Sequence, residues 1–319
     1  MYLRRIQIIV IGLFLFLLAS CGGSGGGGTA PPVNPPSDPA ALPITAVNAQ
    51  DITVDVLEAI TSSIEIIEIV DIIDLPVVSG PPPGLTKPPF RDIFIEVVAC
   101  DTGELTATWN DLDDNLQIST GDSFDIVFDV CFSADSGVTI DGTTSFTGMT
   151  ITGDPFSQIP PWGLAMTFGY DNLSATDSFD TVILDGELIL NISSADNVTV
   201  SMSITANALT AQQSGESETL AGFLLTQTLD LNALMQTINA AGTLTSTVFN
   251  GSVMFETIED FVVMLDDNPS AGQMLITHAT SSVLVTVLDN IRVQLDIDLD
   301  LNGTIDETIV VTWAALDIE

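Results

Sequence analysis

Apolar and polar residues alternate with a period of two over most of the chain beyond Arg91. That period belongs to the β-strand, whose successive side chains leave opposite faces. Phe124, Ile126, Phe128, Val130 and Phe132 alternate with mainly polar partners, and Asp92–Cys100, Val182–Ile192, Val198–Leu209, Leu244–Phe255 and Ser282–Leu299 behave similarly. Ile, Val, Leu, Thr and Phe dominate these runs, as suits a pleated, half-buried surface. Asp289-Asn290, two residues tolerant of positive φ, separates Val283–Leu288 from Ile291–Leu295 and predicts a hairpin. Ile140-Asp141-Gly142, Leu184-Asp185-Gly186 and Phe249-Asn250-Gly251 read as repeated turn chemistry, each opening into a strand. Their unequal spacing argues against a solenoid. The expected fold class is mainly β: an antiparallel meander or sandwich, or an open curved sheet. With 2 Tyr and 3 Trp the chain lacks the aromatic girdles of a membrane-spanning barrel.

Upstream the signal changes. Ile44 to about Ile60 reads as a short helix: Asn48 can cap it, Asp51 lies in its first turn, and Ile52, Val56, Ala59 and Ile60 recur on one face. Ser63–Asp74 fits helix or strand equally. Pro81-Pro82-Pro83 and Pro88-Pro89 break any regular element after it. The expected organisation is a signal over 1–20, a Gly/Pro-rich tether over 21–43, a helical segment with its Pro-rich connection over 44–90, and a β-rich domain over 91–319.

Charge excludes whole classes of partner. Five Lys and Arg stand against 43 Asp and Glu, for a net charge of -38, and beyond Arg5 the only basic residues are Lys87, Arg91 and Arg292. Nucleic acid is excluded, because phosphate binding needs clustered Lys and Arg, and so is electrostatic attachment to anionic lipid. A surface of this kind favours cations and solubility in salty water. It does not signal disorder: apolar residues make up 46% of the chain, enough for a substantial core.

The N-terminus carries an address. Arg4 and Arg5 precede an apolar run, Ile6–Leu18, that ends in small residues, the layout of a secretory signal and too short for a comfortable membrane span. Its exit, Leu18-Ala19-Ser20-Cys21, resembles the lipobox of bacterial lipoproteins. The resemblance implies cleavage before Cys21 and acylation of Cys21, several acyl chains on one residue making a firm membrane anchor. Gly22–Gly28 and Pro31–Pro43 then form a flexible and a stiffer stretch of leash. Gly22 stands where an Asp would, in many Gram-negative lipoproteins, cause retention in the inner membrane. The resemblance therefore implies the outer membrane, at its periplasmic face or the cell surface. In an exported chain the two remaining thiols, Cys100 and Cys131, are expected to pair.

The most specific constellation lies between those cysteines. Asp111, Asp113, Asn115, Ser119 and Asp122 occupy the first, third, fifth, ninth and twelfth places of a twelve-residue run, with the Gln117 carbonyl at the seventh. Calcium takes six to eight oxygens, and this spacing wraps one loop around one ion. The run resembles the loops of EF-hand and dockerin proteins, with Leu116 where their turn-forming Gly belongs. Asp298, Asp300, Asn302, Thr304 and Asp306 form a second candidate; Gly303 is present, but the twelfth place is Ile309, so a chelating carboxylate is missing. Any bound calcium is expected to be structural. The lipobox and tether, the Ile44–Ala49 start, the Cys…Trp-Asn-Asp…Gly-Asp-Ser…Cys block and the Asp-rich C-terminal hairpin together resemble a group of uncharacterised Gram-negative lipoproteins. That resemblance implies no known activity.

Catalytic signatures are sparse. His278, the single histidine, reads as a solvent-facing strand residue without a triad around it. The same shortage of His and Cys disfavours zinc, iron and copper centres. Trp109, Trp162 and Trp313 are scattered and read as core. The expectation is a lipid-anchored envelope protein that binds or scaffolds without catalysis, its partner an envelope protein, a polysaccharide or a lipid. Two alternatives remain open: a periplasmic carrier of an apolar ligand and, third, a carboxylate-dependent hydrolase.

Overall fold

Alternation of this length dictates extended chain, and the fold is an antiparallel meander. A computed structural model describes residues 43–68, 93–115, 118–134, 136–155, 159–196, 198–264 and 268–316. The signal, Cys21, the tether and the proline clusters lie outside the described residues, as do Leu116 and Gln117. Among the described residues one α-helix, α1 (Ala49–Glu68), precedes fourteen strands. These are β1 (Ile93–Ala99), β2 (Thr102–Asn110), β3 (Ser123–Ser133), β4 (Val138–Asp154), β5 (Ile159–Thr176), β6 (Thr181–Ser194) and β7 (Thr199–Gln213), then β8 (Glu216–Asp230), β9 (Met235–Ser246), β10 (Gly251–Met264), β11 (Ala271–His278), β12 (Ser281–Val287), β13 (Arg292–Asp298) and β14 (Glu307–Thr312). They lie side by side in chain order, with β1 and β14 as unpaired ends, so the sheet is open rather than a closed barrel. Short connections between successive antiparallel strands make this the simplest way to pair every strand.

The chain divides into two compact units, one within residues 65–196 and 209–215, the other within 28–64, 197–208 and 216–319. In the first, register brings Phe94, Trp109, Phe124, Phe146 and Phe168 into one cross-strand row over β1–β5. Ring centroids are 5.1 Å apart for Phe94–Trp109, 5.8 Å for Trp109–Phe124 and 5.1 Å for Phe146–Phe168. Each such pair contributes about 0.5–1.5 kcal/mol beyond its buried area, and together they fix the register beside the β2–β3 loop. At the other end of that hairpin Cys100 and Cys131 are joined in a disulfide, their Cα atoms 5.4 Å apart.

In the second unit the buried residues of β8–β13 alternate in phase, among them Leu225, Leu244, Phe255, Met274, Ile276, Val283, Val285, Leu295 and Ile297. Helix α1 belongs to this unit through Ala49, Ile52, Thr53, Val56 and Ile60, all buried. Two polar ties hold its start: the Ile44 N–H donates to Ser281 Oγ at 2.7 Å, and the Gln50 amide donates to the Ala315 carbonyl at 2.7 Å.

Four local expectations change. The helix begins at Ala49 rather than Ile44, and Asn48 faces backwards, its Oδ1 accepting from the Thr45 N–H at 2.7 Å instead of from the first turn. The ambiguous stretch after Ser63 is helical as far as Glu68. Asp141-Gly142 and Asp185-Gly186 are not turns but lie inside β4 and β6, with Gly142 at φ 108 and Gly186 at φ 127 beside register shifts; only Asn250 (φ 50) sits in a hairpin turn. The extra residues lie opposite these glycines, at Val130 (φ 46) in β3 and Asn172 (φ 47) in β5, so the Asp-Gly pairs run past a neighbouring strand's bulge, which local sequence does not reveal. That turn also divides the Leu244–Phe255 run between β9 and β10.

Candidate metal-binding loops

The first loop leaves β2 at Asp111 and enters β3 after Asp122. Asp111 and Asp122 are both 0% exposed, while Asp113 is exposed, and one carboxylate oxygen from each lies within 4.8 Å of the others. Backbone amides hold this arrangement. Asp122 accepts from the Leu112 N–H (2.9 Å) and the Ser119 N–H (2.8 Å), with the Ser119 hydroxyl at 3.4 Å. The Asn115 N–H reaches Asp111 at 3.2 Å and Asp113 at 3.3 Å. Asp114, at φ 56, turns the chain. Thr120 fastens the loop to β4, its Oγ1 accepting from the Ile151 N–H at 2.8 Å.

The second loop joins β13 to β14 and repeats that construction. The Asn302 N–H reaches Asp298 at 3.2 Å and Asp300 at 3.3 Å, the Leu299 N–H donates to Asp306 at 2.9 Å, and Leu301 stands at φ 54. One oxygen from each of Asp298, Asp300 and Asp306 again lies within 4.8 Å of the others. The missing carboxylate is therefore supplied, not by a twelfth residue but by Asp306. The loop closes after nine residues because β14 starts at Glu307, and Asp306 takes the place that Asp122 takes in the first loop.

Other predicted polar residues of the loops make local hydrogen bonds. The Asn115 amide donates to Asp113 at 2.8 Å, the Ser119 hydroxyl points at Asp122, and Asn302 Oδ1 accepts the Thr304 N–H at 2.7 Å. Gln117 lies outside the described residues. Burial works to raise the Asp298 carboxyl, but the N–H groups of Gly303, Asp300 and Asn302 outweigh it and hold it below the ordinary aspartate range.

Each loop thus concentrates three carboxylates with no Lys or Arg among them. The described residues contain one basic side chain, Arg292, and it is paired with Asp289 at 2.6 Å. Two carboxylates about 5 Å apart repel by about 1 kcal/mol in water and about 3–4 kcal/mol at an effective dielectric near 20. An all-oxygen, anionic set of this kind is suited to a hard divalent cation.

His278 is not solvent-facing. It ends β11 on the face of Met274 and Ile276, is 8% exposed, and its Nδ1 has no hydrogen-bond partner among the described residues. The alternation of β11 was legible, but its phase at the last residue was not. Trp109, Trp162 and Trp313 are buried, as expected. In comparisons with known proteins, no family model, curated protein or solved structure matches the chain.

Proposed function

We propose that this chain is a lipid-anchored module of the bacterial outer membrane, tethered through Cys21, that binds or scaffolds rather than catalyses and is tied at two hairpin ends by calcium. The repeated carboxylate triad carries the reading: two loops, far apart in sequence, hold three acids in the same backbone frame. Backbone N–H groups hold the acids in place but leave their mutual repulsion, which a cation joining the three would remove. Calcium fits better than magnesium, because it tolerates irregular sets of six to eight oxygens, whereas magnesium demands a tight octahedron. The leash of 21–43 gives the module reach from the bilayer.

The test treats anchor and ion separately. Cys21→Ser should abolish incorporation of labelled palmitate and move the protein from the membrane to the soluble fraction. Unchanged labelling and membrane recovery refute the anchor. Elemental mass spectrometry of the purified full chain, dialysed against calcium-containing buffer, should find about two calcium ions per chain on the oxygen-donor argument; a metal-free product refutes the ion.

A further inference from the structure

Strand β14 is paired on one side only. The Trp313 N–H donates to the Ile291 carbonyl at 3.0 Å, which sets the alternation along this strand. Ile309 and Val311 therefore turn their backbone polar groups to β13, while Thr308, Val310 and Thr312 turn theirs outward, where no described strand pairs with them. The Thr312 carbonyl is the exception, met by the Leu316 N–H at 3.3 Å. The usual defences of such an edge are missing. Thr308–Thr312 holds no charge and no proline, and the β13–β14 register runs without a bulge. Val310, at its centre, is 52% exposed. The opposite edge of the sheet is defended: in β1 the half-buried Glu96 shares the face of buried Phe94, a charge pointing inward.

We propose that β14 is a homodimerisation edge: two copies of this chain pair their β14 strands antiparallel about Val310 and continue the sheet across a twofold axis. The sequence of the edge is nearly its own complement, since Thr308-Ile309-Val310-Val311-Thr312 reads alike in both directions. A twofold axis perpendicular to the sheet sets Val310 against the partner's Val310, Ile309 against the partner's Val311 and Thr308 against the partner's Thr312. Every pair is β-branched, a favourable cross-strand set. The two Val310 residues exchange N–H and carbonyl groups, and each Thr312 N–H meets the partner's Thr308 carbonyl. Ile309 and Val311 sit beside fully buried Leu295 and Val293, so the face they extend is the buried one in both copies. Charge permits the contact. Asp306 lies four residues from the axis, which sets the two copies of its loop about 27 Å apart along the strands, more than about three Debye lengths at physiological ionic strength. The same operation on β1, centred on Ile95, Glu96 or Val97, sets Glu96 against Phe94, itself or Val98, and so buries a carboxylate or opposes two. The pairing needs neither the ions nor the anchor.

The test is sedimentation equilibrium of the full chain in density-matched detergent, which should fit a reversible monomer–dimer equilibrium. Val310→Lys sets two like charges directly opposite each other and should raise the dissociation constant by at least about 10-fold. Val310→Pro removes only the N–H groups that face the partner, spares the β13 ladder, and should weaken the dimer likewise. Val97→Lys, at an exposed position of β1, should leave the constant unchanged. A monomer throughout, growth beyond the dimer, a dimer undiminished in the Val310 variants, or a dimer lost in Val97→Lys each overturns the proposal. Should Val310→Pro fail to fold, as its melt would show, Val310→Lys decides alone, and an undiminished dimer overturns the proposal equally.

Discussion

Replacing Asp122 by Asn separates a cation-binding loop from a merely acidic one. Without calcium the change has two opposed effects. The two Asp122 oxygens accept from the Leu112 and Ser119 N–H groups. Asn offers one carbonyl oxygen, so one of these donors loses its partner at a cost of about 1–3 kcal/mol. Against that, repulsion from Asp111 and Asp113 disappears, worth about 1 kcal/mol per pair in water and more where burial lowers the dielectric. The net effect on the calcium-free protein is small. With calcium the balance changes: a ligand at about 100 times its Kd stabilises the folded form by about 2.7 kcal/mol per site. The two loops belong to different compact units, so each ion stabilises its own unit. For units of this size that corresponds to a rise of roughly 10 °C in melting temperature. Calorimetric melts in chelator and in calcium, at matched ionic strength, should show the rise for both units in the native chain. Asp122→Asn should keep only the rise of the second unit, and Asp306→Asn only that of the first. If Asp122→Asn retains both rises, or if sodium chloride reproduces them, the reasoning fails.

Two further outcomes concern the first unit. Cys100→Ser paired with Cys131→Ser opens a loop of sequence separation 31, which should destabilise that unit by about 3–4 kcal/mol in denaturant melts; an unchanged midpoint would contradict it. Gly142→Ala places a Cβ 2.4 Å from the Asn172 carbonyl oxygen at φ 108, so it should cost at least about 3 kcal/mol. Gly137→Ala meets nothing within 4 Å among the described residues, at φ 71, and should cost only about 1 kcal/mol in the same assay. Equal costs would remove the distinction between a glycine packed against a neighbouring strand's bulge and one in an open turn.

What the sequence determined by itself was set by local rules. Period-two alternation specified strands because side-chain direction is a property of the extended backbone. Thiol number and the apolar leader implied the Cys100–Cys131 pair, and residue type picked out the acids of both loops. Trp109, Trp162 and Trp313 read as core because large rings seldom stay in water. Tertiary structure decided what depends on partners. Asp141-Gly142 stayed inside β4 because β5 carries an extra residue opposite it, with the Asn172 carbonyl packed where a side chain would go. Asp306, and not residue 309, closes the second loop because β14 must begin at Glu307 to pair with Ile297. His278 turned inward because the phase of β11 is fixed by Met274 and Ile276. Alternation fixes which residues share a face, but only the pairing of one strand with another fixes where each loop must close, and the carboxylate loops depend on that second step.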